Sequence, residues 1–181
     1  IILEPVMRNT APCILYASLK IKKQNPNAIM VVAPSDHWIE DEMQFCSNLQ
    51  HAFDFCECDE NLMTLGILPT FANTGYGYIE FDKLDSRPIK KVKQFREKPD
   101  YATARKFIQS RNFLWNAGIF VWSAKTVLKA YEEFQPVMYD HFMNGYEALN
   151  TPKEEAFTRD NYPLAQNISV DYAILEKAQN V

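Results

Sequence analysis

The chain has 181 residues, of which 47% are apolar and 23% are charged, and its formal net charge is −4. This length and composition suffice for one domain with a hydrophobic core. The negative balance argues against a nucleic-acid polymer as a partner, because such partners usually require a basic surface. No apolar stretch is long enough to cross a membrane, and no signal-peptide pattern opens the sequence. We therefore expect a soluble, cytoplasmic protein whose four cysteines stay reduced.

The first half of the chain alternates strands with helices. Residues 28–37 begin as an apolar run without alternation, which is typical of a strand buried on both faces of a parallel sheet. Before this run, residues 1–3 look like a strand and residues 10–23 like a helix. After it, a helix at residues 41–58 precedes a strand at residues 62–67. This order predicts right-handed βαβ units on a parallel sheet.

The second half predicts a smaller pair of strands and then further helices. The predicted elements are strands at residues 74–81, 89–95 and 114–122, a helix at residues 101–110, and a long helix from residue 124 that Pro136 interrupts. The fold class that follows is α/β, with a Rossmann-like mixed sheet flanked by helices.

The ends of the sequence bear on its completeness. The chain opens on Ile1-Ile2-Leu3 without a Met, as if inside a strand, and residues 173–181 look like a helix that stops soon after it begins. We therefore expect a piece of a longer protein, with residues 1–181 forming one partial domain. Asn150-Thr151-Pro152 is the most obvious linker.

Two acids stand where ligand-binding acids are expected. Asp36 follows the apolar run that ends at Pro34, and ligands of open α/β sheets bind beyond the carboxyl ends of strands. A carboxylate on rigid backbone there can hold Mg²⁺ against a phosphate, although an Asp at a strand end is also a common turn or cap residue. Asp171 follows a second short apolar run and has the same two interpretations.

Four further residues could bind a sugar phosphate. Lys98 can supply a point charge for a phosphate, and Glu97 can accept hydrogen bonds from two sugar hydroxyls, but such a pair is often only solvated. Gly77 can let a ligand approach the backbone, or can mark a bulge. Asn116 lies in an apolar strand, where a buried amide needs partners. It is either a structural amide or a donor and acceptor for a sugar.

Together these residues suggest a nucleotidyl transfer. Asp36 and Asp171 would bind Mg²⁺ between nucleotide phosphates, Lys98 would steady another phosphate, and a polar pocket would hold the sugar. A sugar phosphate is already anionic and attacks without a general base, so catalysis is alignment plus charge neutralisation. The lack of a Ser-His or Cys-His nucleophile pattern agrees with this interpretation.

Six ordered motifs cover nearly the whole chain. They are Glu4-Pro5-x-x-Arg8-Asn9-Thr10-Ala11-Pro12, Pro34-Ser35-Asp36-His37, Leu65-Gly66-Ile67-x-Pro69-Thr70 with Thr74-Gly75-Tyr76-Gly77-Tyr78-Ile79, Phe95-x-Glu97-Lys98-Pro99, Trp115-Asn116-Ala117-Gly118-Ile119-Phe120 and Ser169-Val170-Asp171-Tyr172-Ala173-Ile174. With these motifs the sequence resembles the mannose-1-phosphate guanylyltransferase family of sugar nucleotidyltransferases.

The resemblance implies a GT-A-like enzyme that makes GDP-mannose and pyrophosphate from GTP and α-D-mannose 1-phosphate with Mg²⁺. It places Asp36 and Asp171 at the metal and Lys98 at the sugar-linked phosphate. The remaining residues that it assigns to substrate are Gly77, Glu97 and Asn116 for mannose, and Glu4, Asn9 and Thr10 for the edge of the guanine pocket.

One element of the family is missing from this sequence. The Gly-rich, Arg-containing triphosphate loop would precede Ile1, and the 5 dispersed glycines cannot replace it, so the isolated piece is expected to be inactive. Two other functions stay open. One is a non-catalytic regulatory paralogue that senses GDP-mannose. The other is a metal-dependent glycosyltransferase, which would carry a DxD-like acid pair where Asp36 is followed by His37-Trp38. A homodimer is also left open.

Overall fold

The computed structural model describes all of residues 1–181. The strands are β1 (Ile29–Val32), β2 (Met63–Ile67), β3 (Tyr78–Phe81), β4 (Val92–Arg96) and β5 (Phe113–Ser123). The helices are α1 (Thr10–Gln24), α2 (Glu42–Cys58), α3 (Tyr101–Ser110), α4 (Ala124–Phe134), α5 (Pro136–Met143) and α6 (Glu154–Asn161). Two short 3-10 turns (Tyr146–Ala148 and Tyr162–Leu164) and a π-helical turn (Asp171–Leu175) complete the regular structure.

β5 is the strand to which three others attach. β1, β2 and β3 all pair with it in antiparallel orientation, and β4 pairs with β3. Phe120 pairs with both β1 and β2, whereas Trp115 pairs with both β2 and β3. Because a strand residue has only two neighbouring positions in a sheet, β2 lies along one edge of β5 while β1 and β3 share the other edge.

The predicted class, an α/β fold with a sheet flanked by helices, is confirmed, but the predicted parallel pairing is wrong. β1 and β2 do run in the same direction, as a crossover through α2 requires. β5 lies between them and is antiparallel to both. β1 is also not buried on both faces, because Val31 is 45% exposed. Local patterns in the first half cannot show that a strand from much later in the chain is inserted there.

Polar side chains fix where four helices begin. Asn9, Asp41, Asp100 and Ser123 each accept a hydrogen bond from a backbone N–H in the first turn of α1, α2, α3 and α4. α5 begins with Pro136, whose missing N–H is not needed at that position. The predicted helices and the break before α5 are therefore confirmed.

Two expectations about the rest of the chain are wrong, and a third agrees with the structure. Residues 1–3 are exposed and form no strand, because no other backbone pairs with them. Residues 150–152 form an exposed turn that hydrogen bonds fix in place, rather than a linker, since Asn150 donates to Lys20 O at 3.0 Å and to Glu154 Oε2 at 2.6 Å. Residues 173–181 begin within the π-helical turn, which ends at Leu175, as expected for a helix that stops soon after it begins.

The main core lies between the sheet and helices α1 and α4. Its 25 buried residues include Leu15 of α1, Trp122 of β5 and Leu128 of α4. The buried Tyr131 hydroxyl donates to Ala11 O at 2.8 Å, which fixes α4 against the start of α1. No helix combines the length and the apolar character that crossing a membrane requires.

Truncating this core should destabilise the fold. Leu15→Ala removes a fully buried side chain, and we expect it to lower the free energy of unfolding by about 3 kcal/mol. Leu84→Ala is the matched control, because Leu84 is 93% exposed, and it should change stability little. Urea unfolding followed by circular dichroism measures both. Equal effects of the two variants would contradict the assigned core.

Candidate active site

A break between β1 and β3 marks the candidate site. On their shared edge of β5, β1 pairs with residues 120–123 and β3 with residues 113–115, so residues 117–119 pair with neither strand. The carboxyl end of β1 and the amino end of β3 both point toward this gap. Gly118 has φ +67°, and a Cβ added to it would lie 3.5 Å from Pro34 Cγ, just beyond β1. The chain segments on either side of the gap are therefore close together.

Gly77 makes room for the carboxyl group of Glu97. It precedes β3 and is buried. A Cβ at this position would collide with Glu97 Oε2 and lie 3.3 Å from Asn116 Cβ. Glu97 Oε2 is itself buried without a hydrogen-bond partner. Because leaving a buried acceptor unpaired is costly, this oxygen is well suited to accept a hydrogen bond from a ligand.

Asn116 connects the sheet to the acidic part of the site. Its backbone N–H donates to Gly77 O at 2.8 Å. Its Oδ1 accepts from Thr64 Oγ1 at 3.2 Å and from the Gly118 N–H at 3.1 Å. Its Nδ2 donates to Asp171 Oδ1 at 2.9 Å. The amide is thus fully oriented, and one of its two N–H donors stays available.

Asp171 and Glu97 form a pair of poorly solvated carboxylates. Burial raises the pKa of Asp171 above its usual value, against the opposing effect of the Asn116 hydrogen bond. Burial, and next the negative charge of Asp171, raise the pKa of Glu97. Two carboxylates held together in this way favour the presence of a cation or of hydroxyl donors between them.

Lys98 supplies a cation beside this pair. Its Nζ lies 3.7 Å from Glu97 Oε1, and its side chain is 59% exposed. Its backbone has φ 45°, a left-handed conformation that costs a residue with a side chain about 1–2 kcal/mol. Its N–H donates to Tyr76 O at 3.3 Å. This turn buries Glu97 while the Lys98 amine remains accessible to an anionic group.

Asp36 follows Pro34, which borders the gap, by two residues and is not part of the hydrogen-bonded group. Its side chain is exposed, and no hydrogen bond joins it to Asn116 or Asp171. Two residues of extended chain span at most about 7 Å, so Asp36 stays near Pro34 and hence near Gly118. No group of three or more His, Cys, Asp and Glu side chains is arranged to hold a metal ion.

The three residues predicted for a base pocket lie around the start of α1. Glu4 Oε2 accepts from Tyr162 Oη at 2.5 Å. Asn9 caps α1 through Oδ1, and Thr10 Oγ1 accepts from the Val170 N–H at 2.9 Å. The last contact holds the residue before Asp171, so the start of α1 and the acidic part of the site form one connected region.

The sequence did not predict two residues of the site, Thr64 and Glu176. Thr64 of β2 donates to Asn116, and Glu176 Oε1 accepts from the Glu97 N–H at 3.3 Å. A polar residue within the otherwise apolar residues 62–67 was the only signal for Thr64. Glu176 gave no signal, because only the fold brings it to Glu97.

A large, mainly apolar cavity lies elsewhere in the structure. Its volume is about 760 Å³, and it lies between α2, β2 and the β3–β4 pair. Apolar side chains such as Phe55, Ile79 and Leu114 line most of it, and Thr64 is the one member of the site group on its wall. It lacks the converging carboxylates, amide and lysine that the gap provides, so we place the candidate site at the gap.

The fold and the site now allow the class of protein to be stated. Residues 1–161 match the family described as "Nucleotidyl transferase", and the chain belongs to this family. Within it, the mannose-1-phosphate guanylyltransferase of Escherichia coli is 34% identical over 99% of this chain. The xanthan biosynthesis protein XanB of Xanthomonas campestris pv. campestris (strain B100) is 37% identical over 98%. The family resemblance predicted from the six motifs is therefore confirmed.

Solved structures agree with the fold. A Thermus thermophilus protein described as a mannose-1-phosphate geranyltransferase superposes with a TM-score of 0.85 and 27% identity over 99% of this chain. A Helicobacter pylori protein described as a mannose-6-phosphate isomerase gives a TM-score of 0.81 and 27% identity over 98%. The chain spans 40% of the Escherichia coli relative, 38% of XanB, and 50% and 68% of the two solved chains.

The raised pKa of Glu97 should make the free energy of unfolding depend on pH. The pKa of Glu97 is raised in the folded state, so its favourable contribution is complete below its unfolded pKa and is lost as pH rises through the folded pKa. In the absence of ligands, Glu97→Gln should therefore be more stable than the wild type at pH 7, and this advantage should vanish near pH 4. Urea unfolding across this range measures the difference.

Glu57→Gln is the matched control, because Glu57 is an exposed glutamate of α2. We expect its stability to differ little from that of the wild type. A Glu97→Gln variant that loses stability at pH 7 would show that the Glu97 charge is well compensated, contrary to the structure.

Proposed function

We propose that this chain forms the sugar-phosphate side of a mannose-1-phosphate guanylyltransferase domain, which makes GDP-mannose and pyrophosphate from GTP and α-D-mannose 1-phosphate. The names of its relatives support the choice of substrates. The unpaired Glu97 Oε2, facing Gly77 and Asn116, is the observation that carries the sugar site. Residues 1–181 are then part of the catalytic domain.

In this proposal Glu97 and Asn116 hold the sugar. Glu97 Oε2 accepts a hydrogen bond from a mannose hydroxyl, which gives the buried oxygen the partner that it lacks. The free N–H of Asn116 donates to a second sugar oxygen. Gly77 contributes by having no side chain, because a Cβ there would displace the Glu97 carboxylate.

Lys98 then binds the phosphate of the sugar phosphate. Its amine is exposed beside the site and is only 3.7 Å from one carboxylate oxygen of Glu97. A compact, mobile ammonium suits a phosphate whose charge changes during transfer. The attacking phosphate oxygen is already anionic, so these residues align it for in-line displacement and remove no proton.

The donor set fits a Mg²⁺ ion held by Asp36 and Asp171. Burial raises the pKa of both half-buried carboxylates, Asp171 and Glu97, so a nearby cation would favour their charged forms. Asp36 is exposed two residues after Pro34, which borders the gap. Mg²⁺ usually keeps several waters and needs only one or two carboxylates besides phosphates, so a larger acidic cluster is not required. When bound, the ion would neutralise charge on the nucleotide phosphates.

Glu4, Asn9 and Thr10 remain the proposed edge of the guanine pocket. The exposed carboxylate of Glu4 can accept from the N–H donors of a guanine edge while it keeps its bond to Tyr162. Asn9 and Thr10 are already engaged in local hydrogen bonds, so we propose that they act mainly by fixing the shape of this edge.

Pyrophosphate release by the natural full-length protein tests the proposal. The four common nucleoside triphosphates are each combined with mannose 1-phosphate and glucose 1-phosphate, with Mg²⁺ and with EDTA. We expect GTP, mannose 1-phosphate and Mg²⁺ to give the fastest release. If the protein binds GDP-mannose but releases pyrophosphate from none of these substrate pairs, the proposed enzymatic activity is wrong and a regulatory sensor is favoured.

Removal of the buried metal ligand should abolish turnover. In the full-length protein, Asp171→Asn keeps an acceptor for Asn116 but loses the charge, and we expect kcat to fall by about 100-fold or more. Asp54→Asn, on the exposed surface of α2, is the control and should turn over normally. Turnover of Asp171→Asn near the wild-type rate would mean that the metal assignment is wrong.

A side chain at position 77 should weaken sugar binding selectively. Gly77→Ala pushes the Glu97 carboxylate aside, so the KM for mannose 1-phosphate should rise about tenfold, the equivalent of one lost hydrogen bond. Gly75→Ala is the control, because its Cβ would only approach Asn73 Oδ1 at 3.2 Å. Steady-state kinetics with GTP and the sugar phosphate varied separately give both constants. A rise in the KM for GTP alone would show that Gly77 does not belong to the sugar site.

A further inference from the structure

We propose that Thr64 is a positioning residue of the sugar site, whose hydroxyl restrains the plane of the Asn116 amide through a hydrogen bond to Oδ1. This inference rests on the proposed function for its kinetic consequence, but its structural part stands on the hydrogen bonds alone. The side chain of Thr64 makes one hydrogen bond, to Asn116, so it acts through that residue.

The Asn116 amide has one orientation that satisfies all its neighbours. As observed, Oδ1 receives donors from Thr64 and from the Gly118 N–H, and Nδ2 donates to the Asp171 carboxylate. After a 180° flip, the NH₂ group would face the Gly118 N–H, and Oδ1 would face a carboxylate oxygen. Donor would then meet donor and acceptor would meet acceptor, which is unfavourable in a poorly solvated site.

Thr64 restrains the Asn116 amide from a direction that the Gly118 N–H does not cover. A hydroxyl can donate or accept, so Thr64 does not choose the orientation by itself; the Gly118 N–H and Asp171 do that. Thr64 approaches from β2, on the opposite edge of β5 from β1 and β3. Its bond restrains the amide plane from the far side, so that the free N–H of Asn116 keeps one direction.

The local backbone places Thr64 for this contact. Thr64 pairs with Phe120, and Gly66 pairs with Asn116, so the register shifts between Thr64 and Gly66. A step of two residues in β2 here faces a step of four in β5, so the extra residues lie in β5 and shift Asn116 relative to a regular ladder. Gly66 also lies so close to Leu114 that a Cβ added to it would be 2.9 Å from Leu114 Cβ. The hydroxyl of Thr64 thereby reaches Asn116 from a strand position that is otherwise apolar.

Kinetics of two Thr64 variants test the role. Thr64→Val keeps the shape and the strand propensity but has no donor, whereas Thr64→Ser keeps the donor. In the full-length protein we expect Thr64→Val to raise the KM for mannose 1-phosphate about five- to tenfold, with the KM for GTP unchanged, and Thr64→Ser to restore most of the loss. A merely structural Thr64 would leave both constants unchanged in the folded fraction of Thr64→Val.

A second readout does not depend on the enzymatic proposal. In ¹⁵N-labelled protein without ligands, the side-chain amide protons of Asn116 should exchange faster with solvent in Thr64→Val than in the wild type or Thr64→Ser. The Asn116→Asp spectrum, which lacks these signals, assigns them. Unchanged exchange would overturn the positioning role. Altered exchange in a protein that proves to have no transferase activity would uphold it and overturn only the proposed function.

Discussion

The structure depends on a single strand, β5, that runs antiparallel to β1, β2 and β3. This orientation makes the carboxyl end of β1 and the amino end of β3 approach each other along one edge of β5. The two strands stop short of one another, and residues 117–119 are left between them. A positive φ at Gly118 and the close approach of Pro34 keep this gap compact. The polar side chains of the site come from chain segments that border the gap.

β5 lies between β1 and β2 and is antiparallel to both. This arrangement explains why the sequence predicts the strands and helices better than it predicts how they are arranged. Helix α3 spans Tyr101–Ser110, as predicted, and its start depends on a local contact, the hydrogen bond that Asp100 accepts from the Thr103 N–H. Pairing of β1 with β5 joins residues far apart in the chain, and an apolar run looks the same in either orientation. The sequence therefore predicts which segments are strands and helices, but it predicts parallel neighbours where the structure has β5.

The candidate site likewise contains residues that the sequence predicts and residues that only the fold brings to it. Gly77, Glu97, Asn116 and Asp171 are prominent in the sequence because each is a polar or small residue in an unusual context, and the structure brings them into contact. Asp36 has the same prominence but stays exposed and unbonded. Thr64 and Glu176 are unremarkable in the sequence, because their contribution comes from contacts between β2, β5 and the π-helical turn. Residues that support a site are in general harder to find than those that form it.

The electrostatics of the site indicate a surface that is arranged for ligands at a cost to stability. Glu97 and Asp171 are half-buried, and the charge of Asp171 adds to burial in raising the pKa of Glu97. Lys98 is largely exposed and offsets this only in part. A carboxylate pair of this kind opposes folding at neutral pH, so the hydrophobic core behind β5 must supply the compensation. The same uncompensated charge and the unpaired Glu97 oxygen favour hydroxyl donors and a cation. The features that destabilise the empty site are therefore the ones that would give it affinity for a sugar phosphate.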